Sequence, residues 1–162
     1  MYSIRNITDD VVYVGVEDRR LHLFENIFPL DRGVTYNAYV IRDEKTGLLH
    51  TADATVSRQF FENVAEALDG RALDYLIVNH MEPDHCSLLQ TVLNQYPETT
   101  VLSSMQTFKF ISQFFPELKI ENQQIVKEGD TLCTGAHTFH FVAAPMVHWP
   151  EVMVTYDSTD KV

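Results

Sequence analysis

Six consecutive residues, His80-Met81-Glu82-Pro83-Asp84-His85, constrain this chain more than any other feature, because they hold two imidazoles and two carboxylates. They follow Leu73-Asp74-Tyr75-Leu76-Ile77-Val78, an apolar run with β-branched residues that predicts a buried strand over 73–79. Leu88, Leu89, Val92 and Leu93 come next at the spacing of one helix face and predict a helix over 87–95. The cluster therefore occupies a strand-to-helix loop, where polar side chains converge beyond the carboxyl end of a sheet. Loops of that kind belong to layered α/β folds in which helices cover a sheet. Gathering several ligands on one loop lowers the ordering cost of binding an ion, so the segment suggests a metal site.

The ligand types narrow the chemistry. Imidazole suits zinc, iron, copper and nickel, whereas carboxylate is a harder oxygen donor. A structural zinc site would favour thiolates, and no Cys-x-x-Cys spacing occurs. Alternation points His80, Glu82 and Asp84 inward, with Met81 and Pro83 away, and leaves His85 free to face a second ion. The competing reading makes Asp84 a cap of the following helix and the histidines ordinary loop residues. A further histidine stands in Ala143-Ala144-Pro145-Met146-Val147-His148-Trp149-Pro150, after the strand-like run 139–142. Held between two prolines, His148 is either a structural loop residue or the group that completes a shell begun by His80 and Glu82. Cys86, next to His85, is either a reactive thiol or a small buried side chain, the commoner role.

The rest of the chain reads as antiparallel β at first, with strands over 11–16, 34–42 and 48–52, and 1–8 alternating in the same way. A helix follows over 56–68 and ends at Gly70. Further strands are expected over 99–103, 131–134, 138–142 and 152–156, with a helix capped by Ser104 running to about 115. His137 and His140, three apart in strand-like sequence, point to opposite faces and are expected at the surface. No linker, repeat or low-complexity segment interrupts this pattern, so one domain, or part of one, spans 1–162.

A 45% hydrophobic content, with ten Phe and seven Tyr, excludes disorder. The net charge of −11 disfavours nucleic-acid and anionic-membrane partners, which need clustered Lys and Arg. Neither a transmembrane run nor a signal peptide is evident, and Cys86 and Cys133 make no disulfide framework, so a cytoplasmic protein is expected.

His-x-Glu-x-Asp-His followed by Pro-Met-Val-His-Trp-Pro resembles the flavodiiron proteins, from the strand at Asn37-Ala38-Tyr39-Val40 to that at 152–156. The resemblance implies an αββα metallo-β-lactamase-like sandwich with two irons, reducing dioxygen to water or nitric oxide to nitrous oxide. Hydrolases of that superfold normally carry His-x-His-x-Asp-His, so Glu82 replaces the middle histidine, which fits iron better than zinc. It further implies that His80, Glu82 and His148 hold one iron and that Asp84 and His85 hold the other. Asp53 matches an acidic residue that braces the loop or, equally, caps the helix after it. The family's bridging aspartate and last histidine fall beyond Val162, as does its FMN-binding flavodoxin-like domain. The chain is therefore expected to be the first half of the core domain, inactive alone and dependent on a flavin or rubredoxin-type electron donor. A half-sandwich would leave an apolar sheet face open, so a homo-oligomer or a complementing chain is expected. The alternatives are a metal-dependent hydrolase on the same superfold, with zinc in place of iron, and a non-catalytic fragment.

Overall fold

The computed structural model describes residues 3–162. A seven-stranded sheet runs in the order β1 (Arg5–Asn6), β2 (Val11–Tyr13), β7 (Tyr39–Arg42), β8 (Thr46–Leu49), β9 (Tyr75–Ile77), β10 (Thr100–Ser103) and β11 (Gln123–Ile125). Its first four strands pair antiparallel, and β8 to β11 pair parallel. Parallel neighbours need crossovers, and helices supply them. They are α1 (Ser57–Leu68) before β9, α2 (Pro83–Cys86) and α3 (Leu89–Gln95) before β10, and α4 (Met105–Phe114) before β11. A second sheet of β12 (Thr131–Cys133), β13 (Thr138–Ala143) and β14 (Met153–Asp157) is antiparallel.

Strand alternation divides the large sheet between two cores. Val12, Val40, Leu48, Leu76 and Val101 pack with the helix residues Phe60, Val64, Leu89, Val92 and Ile111. Their strand neighbours Val11, Ile41, Ile77 and Leu102 point the other way, onto Leu132, Phe139, Phe141 and Met153 of the second sheet. The layers are thus helix, sheet, sheet. Each fully buried aliphatic contributes about 1.5–3 kcal/mol, so both faces of the central strands drive the layering. The outer side of the second sheet leaves Val142, Val154 and Tyr156 exposed. No helix among the described residues is long and apolar enough to cross a membrane.

The structure corrects the expected elements in three places. The segments 11–16 and 34–42 are each broken, giving β2 then β3 (Val16–Asp18), and β6 (Val34–Tyr36) then β7. β3 pairs β6 in a separate ribbon. At the break Gly15 lies so close to the Tyr36 carbonyl and the Tyr13 ring that no Cβ fits. The Asn63 amide, fully buried on α1, donates to the carbonyls of Val14 and Gly15 at 3.1 Å each, which satisfies the bend. Second, the helix expected over 87–95 begins at Leu89, and one separate turn, α2, carries Asp84 and His85. Third, a short ribbon of β4 (Leu23–Phe24) and β5 (Phe28–Pro29) and the edge strand β11 were not among the expected elements. Of the alternation expected over 1–8, Arg5–Asn6 is strand, while residues 1 and 2 lie outside the described residues. Ser104 caps α4 as expected, its hydroxyl accepting from the Thr107 N–H at 3.1 Å. The α1 helix closes on Asp69 in the left-handed region (φ 48°), followed by Gly70.

Candidate metal centre

The carboxyl ends of the parallel strands β8, β9 and β10 point to one edge of the sheet, and the polar side chains gather there. β9 delivers residues 80–85, while the β13–β14 loop comes over from the second sheet and brings His148, Trp149 and Glu151. Hydrogen bonds tie the two together: Met153 N–H donates to the Asn79 carbonyl at 3.0 Å, and Thr155 Oγ1 donates to Asn79 Oδ1 at 2.8 Å. Trp149 stacks edge-on to His80 at 5.2 Å and meets Phe110 and Phe114 of α4, which anchors the loop.

Three donors converge from these two loops. Glu82 Oε2 lies 3.1 Å from His80 Nε2 and 2.9 Å from His148 Nε2, and the two ring nitrogens are 3.3 Å apart. All three atoms lie within 4.8 Å of one another, close enough for one ion. His80 and Glu82 are buried, whereas the His148 side chain is 66% exposed, so the group opens on that side. Burial opposes ionisation of Glu82, but hydrogen bonding with Glu25 and His148 and the close approach of the His80 ring hold its pKa below the usual value. Glu25, at the tip of the β4–β5 ribbon, is shifted upward by its hydrogen bond to Glu82 first and by burial second.

A second group shares Glu82 and adds Asp84 and His85, again within 4.8 Å. Asp84 is not a helix cap: it sits inside the first turn of α2, and Glu82 precedes that turn without a side-chain capping bond. Burial, then the Glu82 charge, pushes the Asp84 carboxyl up to about 6. Burial, then His80, lowers His85 to about 4. Asp84 Oδ1 and His85 Nδ1 are buried without hydrogen-bond partners.

The donor set fits a metal on the structure's own terms. Four of the six buried, unpartnered side-chain polar atoms among the described residues belong to His50, Asp84, His85 and Glu151, around this one loop. Each such atom costs about 1–3 kcal/mol, so their concentration at one place calls for a compensating ligand. Mixed imidazole and carboxylate donors without a thiolate suit iron as well as zinc. The thiol of Cys86 is no donor: it is buried, bonds to the Met81 carbonyl at 3.1 Å, and burial pushes it up to about 12.

Several neighbours lay beyond the sequence reading. Thr51, fully buried, donates its backbone N–H (3.0 Å) and its hydroxyl (2.8 Å) to the His85 carbonyl and so braces the loop from the end of β8. Asp53, one of whose expected roles was that brace, instead caps the turn at Ala54–Val56 by accepting from Thr55 N–H at 2.8 Å. His50, at φ 62°, packs its ring 4.7 Å from that of His85 and is lowered to about 3 by burial first. Glu151 follows His148 by three residues, and an acidic residue in a ligand loop is the only signal it offers in the sequence. His137, expected at the surface, is buried, because its ring nitrogens engage Asp157 at 2.7 Å and Asp10 at 3.4 Å.

Known proteins share this fold. The chain is 39% identical to the putative diflavin flavoprotein A 2 of Synechocystis sp. over 86% of its length and 24% of that protein's. It is 34% identical to a nitric oxide reductase of Moorella thermoacetica, covering 93% of this chain and 38% of the relative. Rubredoxin oxygen:oxidoreductase of Desulfovibrio gigas superposes with a TM-score of 0.91 at 31% identity, over 96% of this chain and 39% of that one. The chain thus spans about a quarter to two fifths of these proteins, and its layered fold is that of the metallo-β-lactamase-like domain in flavodiiron proteins. The family model described as ODP family beta lactamase matches residues 34–162, most of the sequence, and the chain belongs to that family.

Proposed function

We propose that residues 1–162 are the N-terminal portion of a metallo-β-lactamase-like diiron domain, part of an oxidoreductase of flavodiiron type. In this reading His80, Glu82 and His148 hold one iron, and Asp84 and His85 serve the second, with Glu82 close to both. The observation that carries it is the placement of Glu82 Oε2 against both His80 Nε2 and His148 Nε2, which puts an oxygen donor at the centre of the histidines. Relatives named as nitric oxide reductase and rubredoxin oxygen:oxidoreductase support the same reading. When bound, the irons would supply the redox chemistry toward dioxygen or nitric oxide.

The side chains define the surroundings of that chemistry. The exposed His148 edge admits a small molecule, and neutral gases need no electrostatic steering past a net charge of −11. Trp149 and Phe110 shield the His80 flank from water. Glu25 lines a cavity together with Glu82, Asp53, Pro83 and Asp84, and its pKa is raised by its hydrogen bond to Glu82. Further donors for the second ion, FMN, and a flavin or rubredoxin-type electron source would come from outside these residues. A homo-oligomer or a complementing chain would cover Val142, Val154 and Tyr156. A cytoplasmic location accords with two free cysteines.

The test is anaerobic reconstitution with ferrous iron, followed by metal analysis of wild type and the His80→Ala/His148→Ala variant. Iron is expected to bind the wild type and to be lost from the first group in the double variant. Equal iron in both would overturn the assignment, and a firm preference for zinc would favour the hydrolase alternative. Gas consumption with a reduced flavin donor is expected to be negligible for these 162 residues alone.

A further inference from the structure

Glu151 lies in the loop that carries His148, yet its carboxylate reaches the other ligand loop. The side chain is fully buried. Its Oε1 accepts the Met81 N–H at 3.0 Å and lies 2.7 Å from His80 Nδ1. A carboxylate oxygen only accepts, so Nδ1 of His80 is the donor in that contact. A neutral imidazole protonated at Nδ1 carries its lone pair on Nε2. That is the atom facing Glu82 Oε2 at 3.1 Å and His148 Nε2 at 3.3 Å. Lone pairs on Nε2 and on the carboxylate oxygen repel at such a distance unless a cation lies between them.

We infer that Glu151 is a positioning residue of the metal centre: through Nδ1 it fixes the tautomer and ring plane of His80, so that Nε2 presents its lone pair to the ion shared with Glu82 and His148. The inference rests on the metal reading above. The Met81 N–H contact makes the brace two-pointed, since the same oxygen holds the backbone one residue beyond the ligand. Carboxylates that orient ligand histidines in this way typically change metal affinity by about 10–100-fold.

The experiment has two arms on the full chain. Long-range ¹H–¹⁵N correlation spectra of the metal-free wild type near neutral pH read the His80 tautomer directly. The proton is expected on Nδ1; a proton on Nε2 overturns the inference whatever metal the site takes. Cobalt(II) titration, followed by its visible absorption, then compares wild type with Glu151→Gln and Glu151→Ala. The neutral isostere still accepts a hydrogen bond and is expected to keep the tautomer and lose about tenfold in affinity. The truncation is expected to lose about 100-fold and to mix the tautomers. Wild-type affinity in both variants overturns the inference. Should the truncation fail to fold, the wild-type spectrum and the glutamine variant decide. A wild type that takes up no cobalt refutes the metal reading instead, and the spectrum alone then judges Glu151.

Discussion

The two halves of the candidate centre are built on different principles. His80, Glu82 and His148 come from two loops 66 residues or more apart, and long-range contacts hold each in place: Glu151 on His80, Trp149 between the loops, Met153 on Asn79. Glu82, Asp84 and His85 come from one helical turn and the residue before it, and are neighbours because the sequence makes them so. The local half is the poorly satisfied one. Asp84 Oδ1 and His85 Nδ1 lack partners, and burial drives the first group toward its protonated form and the second toward neutrality. Proximity along a chain thus collects donors cheaply, while orienting them needs partners from elsewhere in the fold.

The largest effect should come from setting the halves against each other in metal uptake. His80→Ala is expected to abolish binding to the first half, whereas His85→Ala should leave the first ion in place and remove only weaker uptake. Glu82→Ala should impair both, because its carboxylate belongs to both groups. Stepwise ferrous or cobalt titration with metal analysis checks this order. Prior filling of the Asp84/His85 half would break the comparison.

A third cluster sharpens it by contrast. His137, Asp157 and Asp160 offer donors within 4.8 Å, yet both ring nitrogens of His137 already face carboxylates. This is a buried ion pair rather than a ligand set. Burial opposes the charge, but the bonds to Asp157 and Asp10 raise the His137 pKa. A raised histidine pKa means that the unfolded chain loses its proton first as pH rises. The stabilisation is therefore complete below the unfolded value of about 6.5 and disappears as pH passes through the higher folded value. His137→Gln should cost about 3 kcal/mol at pH 5–6, where it strands the carboxylates, and less at pH 9. Urea unfolding at the two pH values measures this, and a cost that grows with pH would refute the ion pair.

The smallest expected effect concerns the brace of the local half. Thr51→Val keeps the shape and the backbone N–H to the His85 carbonyl and removes only the hydroxyl donor. A loss of about 1 kcal/mol in unfolding free energy is expected. Metal affinity at the His80 half should stay unchanged in the same variant. A drop there as large as that caused by changing Glu151 would show that the halves are coupled through the loop.

The sequence by itself determined the layered α/β class, the position of the ligand loop after β9 and the identity of all five candidate donors. The physical reason is that periodicity and loop placement are local: Leu76 and Ile77 alternate toward two cores, and His80 to His85 follow their strand at fixed spacing. Tertiary structure decided what contiguity cannot encode. It set the break at Gly15, where Tyr36 leaves no room for a Cβ, and brought His148 across from the second sheet to meet Glu82. It turned Asp53 into a cap and gave its expected brace to Thr51. It also made His137 a core residue, because Asp157 at the end of β14 and Asp10 from the bend before β2 converge on it. Glu151 shows the division most plainly. Its identity and its place after His148 are visible in the chain, but its contact with His80 exists only once two loops from different sheets are packed together.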